Sequence, residues 1–328
     1  MIENKKSIAI LLAVYQGSRY LDEMLNSLER QTMQDFTCYI HDDGSTDDTL
    51  AIIRRHQKQR EDQYILIEAT NHFGLGAKEN FMFLLSQVQS RYYMFADQDD
   101  VWLPEKIAKT YQKMQQVEKI GQRNLKGQQT QEISSAMVYT DMYVTDEKLH
   151  VIADSFLSYI DRRPYALNYS QLLIDNPAAG CTMMINESLA NRAGLIVDSN
   201  RIEMHDGWII LLASVFGKIG VIEEPLVYYR QHGDNEKGAV YEGMLDKMKR
   251  NLRDLITGHY SAEKKRFMDE KKNLASELME QVDLPPKVRS VVRQFVHLED
   301  MNKILRIHFL RKNQFNRAKH TLWFWFFA

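Results

Sequence analysis

The sequence predicts a doubly wound α/β domain on a mostly parallel sheet, followed by a helical C-terminal extension. Three observations predict this. Apolar runs alternate with helix-period segments from residue 8 to residue 117. The runs are continuously apolar, as in strands covered on both faces. Two of them end in acidic clusters, Asp42-Asp43 and Asp97-Gln98-Asp99-Asp100, and ligands of parallel sheets gather beyond the carboxyl ends of the strands.

Taken in order, residues 8–14 (IAILLAV) read as a buried strand, and Leu21, Leu25 and Leu28 mark one face of the next helix. Residues 36–41 form the second strand. Ser45-Thr46-Asp47-Asp48 then gives a capping-box-like start to a helix carrying Leu50, Ile52 and Ile53. A strand over 64–68, a helix over 77–88, a strand over 92–96 and a helix over 104–117 with Pro104 in its first turn complete the alternation. Residues 121–132 are polar and Gln-rich, a loop. Strands are expected over 136–140, 181–185 and 218–222, with helices over 187–193 and 207–216. From about Tyr241 the pattern is helical, and Val291, Phe295, Leu298, Met301, Leu305 and Phe309 make one apolar stripe.

Composition excludes several classes. Forty-two Lys and Arg against 44 Asp and Glu leave no global field for a nucleic-acid partner. Two cysteines, Cys38 and Cys181, give no disulfide framework and fit a reducing cytoplasm. Residues 8–14 are too short for a signal peptide, and no run reaches the roughly 18 apolar residues of a spanning helix. The expectation is a cytoplasmic protein whose membrane contact is peripheral.

Asp97, Asp99 and Asp100 crowd three carboxylates into four positions, which costs stability unless a cation or strong donor offsets the repulsion. Such a cluster suits a hard divalent ion, Mg²⁺ or Mn²⁺, carrying a diphosphate. A solvated acidic turn ahead of the Pro104 helix is the bland alternative. Tyr15, after the first strand, is an aromatic ring suited to stacking on a nucleobase or to packing at a rim. Asp206 precedes a helix whose N-terminus favours its ionised form, so it serves as a general base or merely caps that helix.

Ala13-Val14-Tyr15-Gln16-Gly17, Asp42-Asp43-Gly44-Ser45-Thr46-Asp47 and Asp97-Gln98-Asp99-Asp100-Val101-Trp102 occur in an order that resembles glycosyltransferase family 2, of the GT-A fold. His205-Asp206-Gly207-Trp208 and Tyr228-Tyr229-Arg230-Gln231-His232-Gly233-Asp234-Asn235 resemble its rhamnosyltransferases of bacterial surface polysaccharide assembly. The resemblance spans roughly residues 7–235. Ala13 and Gln16 depart from the family, which often has a hydroxyl residue and Asn there.

The resemblance implies an inverting, metal-dependent transferase with a nucleoside-diphosphate sugar donor, dTDP-L-rhamnose favoured over a UDP-hexose or UDP-N-acetylhexosamine, and a lipid-linked glycan acceptor. It assigns Asp42 to the imide of uracil or thymine, Asp97 to the ribose and metal neighbourhood, and Asp99 to the metal. Asp206 would be the base, with His205 as a substitute. Lys78 would reach base or phosphate, and Arg230 and His232 the diphosphate, His232 also as a metal ligand. Gly180 and Cys181, in the loop from Asn176, and His205 and Trp208 would face the acceptor. Lys78, Arg230 and His232 also read as ordinary surface charges. A non-catalytic scaffold is the alternative from another class. A nucleotidyltransferase is disfavoured because residues 13–17 hold no Lys or Arg.

The expected organisation is a transferase domain over 1–238 and a helical extension over 239–328. From residue 301 onward six Lys and Arg occur without an acid, followed by Trp323, Phe324, Trp325, Phe326 and Phe327. Such a tail suits an anionic membrane surface at the inner face of the plasma membrane, or docking on its own domain or a second copy in a homodimer.

Overall fold

A computed structural model describes residues 1–68, 73–124, 134–162, 164–165, 167–233 and 259–316. Its central sheet runs β4-β3-β2-β6-β10-β8-β11-β7. Strands β2 (Ile8–Val14), β3 (Phe36–Asp42), β4 (Tyr64–Leu66) and β6 (Tyr92–Asp97) are mutually parallel. Past β6 the sheet is mixed: β10 (Met183–Asn186) is antiparallel to both β6 and β8 (Ser135–Thr145). Strand β11 (Gly217–Arg230) runs parallel to β8 and antiparallel to β7 (Val101–Trp102). The short β9 (Val151–Ala153) flanks β8, and β1 (Ile2–Glu3) pairs with β5 (Val88–Gln89) in a separate ribbon.

The continuous apolar strands resolve into two faces. Ile8, Ile10, Leu12 and Val14 point into a cluster with Leu21, Met24, Leu25 and Leu28 of α1 (Leu21–Glu29). Helices α2 (Thr49–Gln59) and α4 (Lys106–Asn124) close that face. Ala9 and Leu11 point the other way, onto Phe81 and Leu84 of α3 (Gly76–Gln87) and onto α8 (His205–Phe216). Both faces are therefore dry, which is why the runs show no polar alternation. Burying each such aliphatic side chain contributes about 2 kcal/mol.

The predicted elements of the first half appear within a few residues of their expected bounds. Short helices α5 (Phe156–Tyr159), α6 (Tyr169–Leu172) and α7 (Glu187–Ala193) follow β9 and bracket β10. Residues 181 and 182, expected as the start of a strand, belong to a 3₁₀ turn over Gly180–Thr182, and β10 begins at Met183. Helix α4 continues through the start of the expected polar loop to Asn124, and residues 125–133 lie outside the described residues.

The C-terminal helices are α9 (His259–Met279), α10 (Pro286–Val296) and α11 (Lys303–Lys312). They are not one striped helix. The chain turns at 298–300, and the Asn302 side chain caps α11 by accepting the Leu305 amide N–H. The break rotates the periodicity, so Leu305 is exposed while Val292, Phe295, Phe309 and Leu310 are buried. These helices join the cluster on the α3–α8 face of the sheet. Among the described residues no helix is long and apolar enough to cross a membrane. The expected boundary at 238/239, Asp234, Asn235 and the aromatic tail lie outside the described residues.

Candidate active site

The parallel register makes the site. Ala13 of β2 pairs with His41 on one side and Asp97 on the other, and Val14 pairs with Asp42, so both acidic strand ends flank the end of β2. A cleft of about 1430 Å³ opens there. Tyr15, Asp97, Asp99, His232, Asp206, His205, Trp208 and Gly180 all line it.

Tyr15 is 55% exposed and its backbone is held by Gln98. The Gln98 side-chain N–H donates to the Tyr15 carbonyl at 2.8 Å, and the Tyr15 N–H donates to Gln98 Oε1 at 2.8 Å. Gly17 makes room for this clamp, since a Cβ there would sit 2.5 Å from Gln98 Oε1. Asp42 is buried and accepts hydrogen bonds from the Ser45 N–H and hydroxyl. Its neighbour Asp43 lines the cleft and accepts the Leu75 and Gly76 N–H groups, each at 2.9 Å, fixing the turn that leads into α3. Asp47 accepts from the Ser18 and Thr49 N–H groups and ties the two strand-end loops together. Its pKa falls to about 2: burial raises it, but the hydrogen bonds from Ser18 and Thr49 prevail.

The Asp97–Asp100 segment is a charge cluster built over a buried lysine. Burial, then the charges of Asp99 and Asp206, push Asp97 up to about 7. Burial, then the charges of Asp99 and Asp97, raise Asp100. Beneath them Lys106 is wholly buried, its Nζ 3.0 Å over the Trp102 ring and donating to the Cys181 carbonyl at 2.5 Å. Burial lowers this amine to about 7 although carboxylates face it. Cys181 is buried below the cleft, and desolvation keeps its thiol protonated.

Strand β11 brings the distant half of the site. Its register shifts around Pro225, which has no N–H for the ladder, and the strand end pairs with β7. His232 Nε2 then lies 2.7 Å from Asp99 Oδ2. Arg230 is 2% exposed and is not among the residues lining the cleft. Its Nε donates to the Asp99 carbonyl at 2.8 Å, its other nitrogens reach the Glu147 carbonyl and Glu23, and its N–H donates to Asp100 Oδ1. Arg230 is a bracket behind the acidic loop. Lys78 is also turned from the cleft, donating to the carbonyls of Ser199 and Ile202 at 2.8 and 3.1 Å.

Asp206 stands in the first turn of α8, open to the cleft. His205 beside it is buried between Phe81 and Phe95, with ring centroids 4.4 and 5.0 Å away. Neither ring nitrogen has a hydrogen-bond partner among the described residues, and burial lowers its pKa to about 3. Gly180 is needed against it, because a Cβ would meet His205 Nε2 at 2.5 Å. Trp208 is buried and donates its indole N–H to the Ala193 carbonyl, so it shapes the wall from within the core.

Sequence reasoning did not single out Gln98, although it lay inside the acidic motif. Nor did it find the wall supplied by α9, where Phe267, Glu270, Lys271 and Leu274 line the cleft. Nothing near those residues marks them locally.

Fold and cleft define a glycosyltransferase of the GT-A type, with acids at the carboxyl ends of parallel strands and a mixed sheet beyond. Residues 9–190 match the family model "Glycosyl transferase family 2", and the chain belongs to that family of enzymes. It is 27% identical over 234 residues to an uncharacterised glycosyltransferase of Nostoc sp., covering 70% of this chain and 66% of that one. It is 26% identical over 237 residues to a dTDP-rhamnosyl transferase of Shigella flexneri, covering 70% and 74%. The structure of Staphylococcus aureus TarS 1–349 with UDP-GlcNAc superposes with a TM-score of 0.58 at 15% identity, over 96% of this chain and 74% of that one. TarS is by name a poly(ribitol-phosphate) β-N-acetylglucosaminyltransferase. Against a longer TarS chain the match covers 89% of this chain and 43% of that one, so this chain spans less than half of it.

Proposed function

We propose that this protein transfers a hexosyl group, with inversion, from a nucleoside-diphosphate sugar to a hydroxyl of a lipid-linked surface-glycan precursor. The observation that carries the proposal is one cleft shared by Tyr15, the Asp97–Asp99 carboxylates, His232 and Asp206. dTDP-L-rhamnose is the favoured donor, supported by the second-half motifs and by the named activity of the Shigella flexneri relative. A UDP-hexose or UDP-N-acetylhexosamine is the second reading, favoured by the fold shared with UDP-GlcNAc-bound TarS. Work at the inner face of the plasma membrane follows from a lipid-linked acceptor.

The donor set fits a divalent cation. Asp97 and Asp99 offer carboxylates at the cleft and His232 an imidazole nitrogen, and the buried Asp100 Oδ2 behind them has no hydrogen-bond partner among the described residues. The group is hard and oxygen-rich, as Mg²⁺ or Mn²⁺ prefers. Such an ion, when bound, offsets charge on the departing diphosphate.

The chain's own residues do the rest. Tyr15, clamped by Gln98, presents a ring for the base. Asp206 takes the proton of the acceptor hydroxyl as that oxygen bonds to the anomeric carbon. The carbon–oxygen bond to the diphosphate breaks, and its electron pair leaves with the nucleoside diphosphate. One displacement inverts the anomeric centre. His205 is a poor substitute base: its neutral ring is walled off by Phe81, Phe95 and Gly180. A thermal-shift panel of dTDP-, UDP- and GDP-sugars with and without Mn²⁺ tests the reading. Stabilisation by one donor, lost on chelation, supports it; no response to any nucleotide refutes it.

A further inference from the structure

Resting on that reading, we propose that α9 builds an acceptor subsite for a pyranose ring without phosphate, and that its wall rejects phosphate-bearing acceptors. Helix α9 is joined to the segment that leads into α8, not merely packed on the domain. The wholly buried Glu277 accepts the N–H groups of Val197 and Asp198 at 2.6 and 3.2 Å. One to two turns earlier Lys271 Nζ lies 3.3 Å from Glu203, three residues before Asp206. The placement of α9 and that of the base are thereby linked.

On this side of the cleft the charges come already matched. Lys271 is paired with Glu203, and Arg162 is paired with Asp175. Glu270 also lines the cleft, while its cation, Arg266, is 83% exposed and is not part of the lining. With Asp206 the wall holds two cations against four carboxylates. A phosphodiester would have to enter a net negative field and compete for guanidinium and ammonium groups that carboxylates hold. A sugar hydroxyl meets no such penalty: carboxylates accept its proton and the Lys271 ammonium donates to its oxygen. Phe267, part-buried with Lys271 Nζ 5.1 Å from its ring centroid, supplies a flat apolar face of the kind a pyranose C–H face covers. Neutral or amino-substituted rings satisfy this wall.

Saturation-transfer NMR on the full chain with dTDP and Mn²⁺ tests the subsite. The probes are methyl glycosides of glucose, galactose, rhamnose and N-acetylglucosamine, with ribitol 5-phosphate as the anionic counterpart. At least one glycoside is expected to bind, ribitol 5-phosphate is not, and Phe267→Ala should weaken the glycoside tenfold or more with dTDP affinity held within twofold. Glu270→Lys, on the exposed side of the wall, should admit ribitol 5-phosphate. Binding of ribitol 5-phosphate to the unaltered chain as tight as the best glycoside overturns the proposal. So does the absence of any glycoside binding, or a change under twofold in Phe267→Ala. If dTDP and UDP both fail to bind, the proposed dTDP- or UDP-sugar donor falls; if a nucleotide binds and no glycoside does, only the subsite falls.

Discussion

His232 Nε2 lies 2.7 Å from Asp99 Oδ2, though 133 positions separate them in the chain. The contact exists because Val227 pairs with Trp102 and Tyr228 with Val101, so the end of β11 runs back past the acidic loop. Arg230 fixes the approach from behind by holding the Asp99 carbonyl and the Asp100 carboxylate.

Arg230→Met should therefore remove the acidic loop's support. It leaves Glu23 and the Asp99 and Glu147 carbonyls without their buried donor. A loss of about 3–5 kcal/mol is expected in urea unfolding. Arg230→Lys should recover only part of it, because an ammonium cannot reach three partners in a planar fork.

Lys78→Ala should cost about 1–2 kcal/mol of stability through the Ser199 and Ile202 carbonyls. The donor Kd should stay within twofold by calorimetry. A tenfold weaker donor would return Lys78 to the role implied by the family resemblance.

Gly17→Ala places a Cβ 2.5 Å from Gln98 Oε1 and must open the clamp on Tyr15. Two hydrogen bonds at ~1 kcal/mol each suggest a donor KM raised roughly tenfold or more, with kcat changed less. Steady-state kinetics at saturating acceptor separates the two.

His205 makes a pH prediction with a definite sign. Its folded pKa, about 3, lies below the ordinary 6.5, so the unfolded chain takes the proton first as pH falls. The neutral ring's contribution is complete above pH 6.5 and is lost progressively from there toward 3. Unfolding free energy should fall by about 2 kcal/mol between pH 7 and pH 5 from this residue. His205→Phe should remove that part of the slope when both proteins are unfolded in urea at the two pH values.

The parallel half of the fold was legible because its strands are continuously apolar and its helices are amphipathic, both local signals. The acidic clusters were legible because a run such as Asp97-Gln98-Asp99-Asp100 has no stable role inside a core. What could not be read depends on register and on distant packing. The buried partners of Arg230 were not legible, since nothing local shows that β11 shifts around Pro225 and brings it behind the acidic loop. The exposed Leu305 continued a stripe that Asn302 interrupts. Gln16 stood out as a departure from Asn, and its φ of 50° gives the reason: Asn tolerates left-handed backbone more readily. Phe267, Glu270 and Lys271 sit on a helix whose approach to the cleft no sequence period encodes.

The base and the cation site should separate cleanly. Asp206→Asn should lower transfer by roughly 10²–10⁴-fold while leaving donor affinity intact, as measured by radiolabelled transfer alongside calorimetry. A scaffold protein would show no change in either quantity.

The central claim is that Asp97, Asp99 and His232 hold a cation for the donor diphosphate. Calorimetric titration of dTDP and UDP into the wild-type chain and Asp99→Ala, with Mn²⁺ and with EDTA, addresses it most directly. One nucleotide should bind the wild type only with Mn²⁺, and Asp99→Ala should lose at least tenfold in affinity under the same condition. Equal binding with EDTA, or an unchanged Kd in Asp99→Ala, contradicts the claim.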